Sequence, residues 1–197
     1  MEADFIETLR GFLVNPVATF QKSRVDSFAT AFRYYIILVI LYSVLSTIIA
    51  ALLGSAGMVI GLPGAVSAIL PAFLFIYFII FSIVAWLVFG LWVHLWVYIL
   101  GGRKGITRTI NAVYYGNTPY LLLGWVPFVG IIGIIWSAVL WILGIREMQE
   151  VSTVKAVAAV IIPVAILIII AALIAAYFIA TLVGITPLGP MYSPGSP

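Results

Sequence analysis

No Asp, Glu, Lys or Arg interrupts residues 34–102, residues 109–145, or the stretch from residue 156 to the C-terminus. These three windows constrain the chain more than any other feature. A helix needs about 20 mainly apolar residues to cross the hydrocarbon of a bilayer. The first window holds two such spans, at 36–53 and 71–100, separated by the turn residues Gly54, Gly57, Gly61, Pro63 and Gly64. Pro71 suits the first turn of the second span, which is long enough to tilt, kink or project from the membrane. The second window is too long for one crossing and just long enough for two short ones, at 108–123 and 128–145. Gly124-Trp125-Val126-Pro127 forms the turn between them, and Pro119 bends the first. A re-entrant hairpin over 109–145 is the alternative reading of that window. The third holds one span, 157–183, with Pro163 near its start.

Composition supports lipid as the solvent. Only 8% of the 197 residues are charged and 65% are hydrophobic, against about a quarter charged in a soluble domain. The chain has too few polar groups to coat a water-facing exterior. The expected fold is all-α: a polytopic membrane helix bundle of about five transmembrane helices, plus a short N-terminal amphipathic helix.

Charge placement then sets the topology. The nine basic residues are Arg10, Lys22, Arg24, Arg33, Arg103, Lys104, Arg108, Arg146 and Lys155. Crossing twice, twice and once puts all nine on one side. By the positive-inside rule that side is cytoplasmic, with the N-terminus inside and the C-terminus outside. The expected organisation is a cytoplasmic amphipathic segment at 1–33, a five-helix membrane domain at 34–184, and a disordered external tail at 185–197, rich in proline and glycine. Residues 1–30 lack the apolar run of a cleavable signal peptide.

Four segments are candidates for function. In residues 2–14, Phe5, Ile6, Leu9, Phe12 and Leu13 recur at helical spacing opposite Glu2, Asp4, Glu7 and Arg10, and Asn15-Pro16 ends the pattern. Such a helix either lies in the headgroup region or caps the ends of the spans. Asn111, Tyr114, Tyr115, Asn117 and Thr118, leading into Pro119, make the densest polar cluster at membrane depth. Pro119 frees the carbonyl of Tyr115, one turn earlier, and a freed group in a span needs a partner or a cavity. The cluster is a polar joint between spans or a ligand site. His94, the one histidine, belongs with these candidates, although Trp92 and Trp96 beside it point to the interface. Arg103, Lys104 and Arg108 form a tight basic turn, either a topology signal or a site for anionic lipid headgroups. Ala172, Ala176, Ala180 and Gly184 recur every fourth residue, a seam for close helix packing within the chain or between two copies.

Several chemistries are excluded. There is no cysteine, and one histidine cannot assemble a catalytic metal site. Gly54-Ser55-Ala56-Gly57 lacks the spacing of a nucleophile elbow and lies on the side opposite His94. No acid lies within a span, and no Walker-type loop occurs. The reading is of a protein that is not an enzyme, with no catalytic residue, no metal and no cofactor.

The order of elements resembles the Yip1 family of small multispanning membrane proteins. The resemblance starts at Phe12, Pro16 and Phe20, spaced four apart, and passes through His94 and Gly101-Gly102-Arg103-Lys104. It is most specific at Ala112-Val113-Tyr114-Tyr115-Gly116-Asn117-Thr118-Pro119 and Val126-Pro127-Phe128-Val129-Gly130, with Ile135-Trp136 following. It continues through Gly144-Ile145-Arg146-Glu147 and Ser152-Thr153-Val154-Lys155-Ala156. The resemblance implies five spans and a cytoplasmic N-terminus. Eukaryotic members are associated with Rab GTPases and vesicle traffic, but their long polar N-terminal region and Asp-Leu-x-Gly-Pro element do not occur in this sequence, so Rab binding is not carried over. The chain is more similar to short prokaryotic members. The scarcity of Asn and Gln and the absence of cysteine fit a thermophilic, archaeal-type source.

The expected function is a non-enzymatic scaffold or adaptor that binds partners through its cytoplasmic face and helix seams. Expected partners are membrane lipids and a second copy or another membrane or cytoplasmic protein, with no nucleic acid. The alternative is a small transporter or channel built on the break at 114–119.

Overall fold

The computed structural model describes residues 2–53 and 64–182. Every regular element among them is helical: α1 (Glu2–Val14), α2 (Pro16–Lys22), α3 (Phe28–Leu53), α4 (Gly64–Ile99), α5 (Ile106–Gly116), α6 (Thr118–Leu123), α7 (Val129–Gln149) and α8 (Thr153–Leu182), with a 3-10 turn at Ser23–Val25. α3, α4, α7 and α8 are long and apolar enough to cross a membrane. The described residues divide into two compact units after Val160.

Local chemistry sets the helix boundaries. Asn15 precedes a proline and takes φ −137°, ψ 66°, which ends α1, and Pro16 then opens α2 at its first position. Ser27 caps α3: its Oγ accepts from the Thr30 amide at 3.2 Å. That cap starts the helix at Phe28, well before the span expected from residue 36, and puts Arg33 inside it. Ser152 caps α8 in the same way, its Oγ accepting from the Lys155 amide at 3.4 Å.

Two prolines sit differently from the sequence reading. Pro71 lies inside α4, not in its first turn. The small and apolar residues before it continue the helix upstream, and a missing amide is tolerated where other groups satisfy the freed carbonyl. The expected span at 108–123 is not one helix. It breaks between α5 and α6 at Asn117, which keeps near-helical angles of φ −74° and ψ −6°. Together 106–123 cover about 27 Å at helical rise.

In the unit ending at Val160, α5 packs most extensively on α7, while α3 packs on α4 and α6 on α7. Residues 109–119 are all buried. The helices around them turn isoleucine, valine and phenylalanine outward, among them Ile40 and Val44 on α3 and Ile76, Ile80 and Val84 on α4. The N-terminal helices pack into this same unit. Phe12 and Phe20 are fully buried, with rings 4.8 Å apart, and Phe12 stacks on Tyr115 at 4.7 Å. Gly144 admits Phe20: a Cβ there would come within 2.9 Å of the ring. Ile6 and Val14, by contrast, are 59% and 73% exposed. Thus α1 caps the bundle with one face and presents apolar groups with the other.

The unit beginning at Ile161 is the rest of α8, an apolar helix. Ala172 and Ala176 are exposed there and Ala180 is half-buried. Gly184, the last residue of the expected seam, lies outside the described residues, as do the tail at 185–197 and most of the turn between the first two spans.

Candidate functional site: a polar joint around a broken helix

The break at Pro119 is resolved by hydroxyl groups. The carbonyl of Tyr115, freed by the missing proline amide, accepts from Thr118 Oγ1 at 2.6 Å. With its proton so used, Thr118 Oγ1 accepts from the Tyr34 hydroxyl at 2.9 Å. The break is thereby tied to α3. The next amide on, that of Tyr120, donates to Ser137 Oγ at 3.0 Å, tying the break to α7. The hydroxyls of Tyr120 and Tyr42 lie 3.2 Å apart, a second link to α3.

Above the break, Asn111 Nδ2 donates to the carbonyl of Asp26 at 3.0 Å, and the Tyr115 hydroxyl donates to Asp26 Oδ2 at 2.7 Å. These bonds hold the loop between the 3-10 turn and α3. Tyr114 stacks on Tyr35 at 4.4 Å with the rings 11° apart. Tyr35 in turn donates to the carbonyl of Ser82 at 2.8 Å and so reaches α4. Gly116 lets α7 approach, since a Cβ there would collide with the Trp141 ring. The sequence cluster is therefore brought together, with one exception. Asn117 is fully buried, and neither its Oδ1 nor its Nδ2 has a hydrogen-bond partner among the described residues; Asn111 Oδ1 also lacks one, although its Nδ2 is bonded. An unpaired amide in apolar surroundings is costly.

His94 belongs to a different network. Its Nδ1 lies 2.8 Å from Thr109 Oγ1, which accepts from Gln149 Nε2 at 2.9 Å. Gln149 also donates to the carbonyl of Gly105 at 2.8 Å and accepts from the Lys104 amide at 3.0 Å. His94 thus joins a buttress under the basic turn.

The basic turn is internally paired. Lys104 and Arg108 both reach Glu150, at 2.5 and 3.3 Å. Arg103 lies over the Tyr98 ring, 3.9 Å from its centroid, and donates to the carbonyl of Tyr98. The hydrogen bond from Lys104 is the main influence holding the Glu150 carboxyl below its ordinary range.

Sequence reasoning missed a further centre at Glu147, which is buried at the end of α7. Its carboxylate accepts from Gln21 Nε2 and Arg24 Nη2, each at 2.9 Å, and from Arg146 Nε at 2.8 Å. This clamp, with Phe12 and Phe20, fixes the N-terminal helices to the bundle. The charges of 22–26, 103–108 and 146–150 therefore meet at one end. Charge placement puts the basic residues of these segments on one side; separations of 42 to 123 residues hide which group pairs with which. Among the described residues, no group of three or more His, Asp or Glu is placed to hold a metal ion.

Residues 10–185 match the family model described as the Yip1 domain. No curated protein and no solved structure matches the chain.

Proposed function

The chain belongs to the Yip1 domain family, and from that premise we propose a non-enzymatic membrane scaffold or adaptor. It is a multi-pass membrane protein. In the proposed orientation the charged end faces the cytoplasm, α1 and α2 form the docking face there, and lipids or a partner protein bind that face and the helix seams. One observation carries the reading: the polar groups of the broken helix are buried, and Thr118, Tyr115, the Tyr120 amide and the Asn111 amide nitrogen are bonded to α3, α7 and the loop before α3. The Asn117 carboxamide and Asn111 Oδ1 have no partner among the described residues. A side-chain-filled joint supports a rigid platform better than a solute path.

The orphaned carboxamide of Asn117 favours a second reading, a small transporter whose solute or ion contacts that group at the break. Purification in mild detergent, followed by identification of bound proteins and lipids, separates the two. The adaptor reading predicts a stoichiometric partner that is lost when residues 1–22 are deleted. A pure monomer that conducts solute in liposomes, with flux abolished by Asn117→Ala, would overturn it.

A further inference from the structure

A cavity of about 390 Å³ opens beside α1, α2 and the first turns of α3, within the range of about 300–1,000 Å³ typical of small-molecule sites. Its lining is divided. Tyr34, Tyr115 and Phe5 supply rings, Thr8, Thr19 and Thr30 supply hydroxyls, and Glu7, Lys22, Asp26 and Arg33 supply charge.

The charges are not equivalent. Lys22 and Glu7 pair with each other at 3.2 Å. Asp26 accepts from Tyr115 but has no cation partner, and Arg33 has neither an ion pair nor a hydrogen bond, among the described residues. One cavity thus presents one uncompensated anion and one uncompensated cation that do not reach each other. The complement of such a lining is a zwitterion, and a guanidinium favours phosphate.

Two features narrow the choice. The rings pack against one another: Phe12 stacks on Tyr115, and Phe5 and Tyr115 each lie tilted at 5.3 Å from Tyr34. The unpaired anion is the carboxylate of Asp26, which a primary ammonium meets with charge-assisted hydrogen bonds that a quaternary ammonium cannot donate. The apolar exit lies on α3. Ile37 lines the cavity, and Ile37, Leu41, Val44 and Ile48 form one exposed row along the helix, leading away from its basic end. A hydrocarbon chain has a track to follow.

We propose that this cavity binds the head of a phosphoethanolamine phospholipid, with its phosphate on Arg33, its ammonium on Asp26, and a chain along the Ile37 row. This deepens the lipid-binding part of the adaptor reading and rests on it only in placing this end of α3 at the membrane interface.

The test uses the full chain, delipidated in detergent and titrated with dioleoyl phosphatidylethanolamine, phosphatidylcholine or phosphatidylglycerol, with retention read by native mass spectrometry. Phosphatidylethanolamine should be retained about tenfold over phosphatidylcholine, as expected for one charge-assisted hydrogen-bonded contact. Asp26→Asn should remove that preference, while Arg33→Gln should weaken retention of both. Equal retention of all three lipids, or a preference unmoved by both substitutions, overturns the proposal. Binding of soluble phosphoethanolamine without retention of the lipid assigns the cavity to a free zwitterion and overturns the lipid as occupant. Hydrogen exchange on the unmodified chain guards against misfolded variants. Added phosphatidylethanolamine should slow exchange across 5–37 relative to phosphatidylcholine, and no difference again overturns the site. A partner protein that co-purifies although the lipid preference is absent sinks the site and spares the adaptor. Solute flux with the preference intact does the reverse.

Discussion

α4 and the α5–α6 pair belong to the same compact unit and are built on opposite terms. α4 is the longest of the described helices, and only 6% of its most apolar window is buried. The α5–α6 pair is short, broken and polar, yet residues 109–119 are buried throughout. In water the assignment would be reversed, because the hydrophobic effect drives apolar surface inward. In hydrocarbon that drive is absent between helices, and packing plus interhelical hydrogen bonds decide what lies inside. Polarity therefore marks the core of this protein, and unbroken hydrophobicity marks its exterior.

The comparison breaks first at the stacked pair. Tyr114→Ala removes a buried ring from against Tyr35 and should lower stability in micelles by about 3 kcal/mol, read by equilibrium unfolding in SDS. A loss below 1 kcal/mol would mean that the α5 core is loosely packed. Thr118→Val comes next. It leaves the Tyr115 carbonyl and the Tyr34 hydroxyl without their partner and should cost about 1 kcal/mol. Paired with Tyr34→Phe it should show coupling in a double-mutant cycle, and strict additivity would deny the link between α3 and the break.

A smaller effect is expected at the charged end. Lys104 holds the Glu150 carboxyl below its ordinary value of 4.5. A carboxyl depressed on folding stabilises above its unfolded pKa and loses that contribution as pH falls through its folded one. The stability lost in acid should therefore be reduced in Glu150→Gln, as read in thermal melts below pH 4.5. Identical acid limbs would show that the pair contributes nothing. Smallest of all is Ile80→Ala on the exposed face of α4, expected within about 0.5 kcal/mol of the parent. A loss comparable to that of Tyr114→Ala would erase the distinction between the two helices.

The outline of the fold was legible because span length and charge are additive properties of a window. The windows at 34–102 and 156 onward located α3, α4 and α8 without any contact information, and Asn15-Pro16 marked the end of α1 through a local steric rule. The need at Tyr115 was legible too, since proline always frees that carbonyl. What filled it was not: Thr118 is adjacent, but Tyr34 lies 84 residues away. The same limit hid the Glu147 clamp and the pairing of Lys104 and Arg108 with Glu150, where the counter-charge is supplied by a distant segment. The early start of α3 was obscured by Arg33, a charge that ended the apolar window while the Ser27 cap continued the helix.

The absence of cysteine from the sequence allows the central claim to be tested with a single thiol. Asn117→Cys, reconstituted in liposomes with a monodisperse elution profile as the check on folding, is exposed to a membrane-impermeant maleimide from each side in turn. A closed polar joint predicts no labelling from either side until SDS unfolds the protein. Rapid labelling of the folded protein from one side would place water at the break, and polarity there would mark a path and not a core.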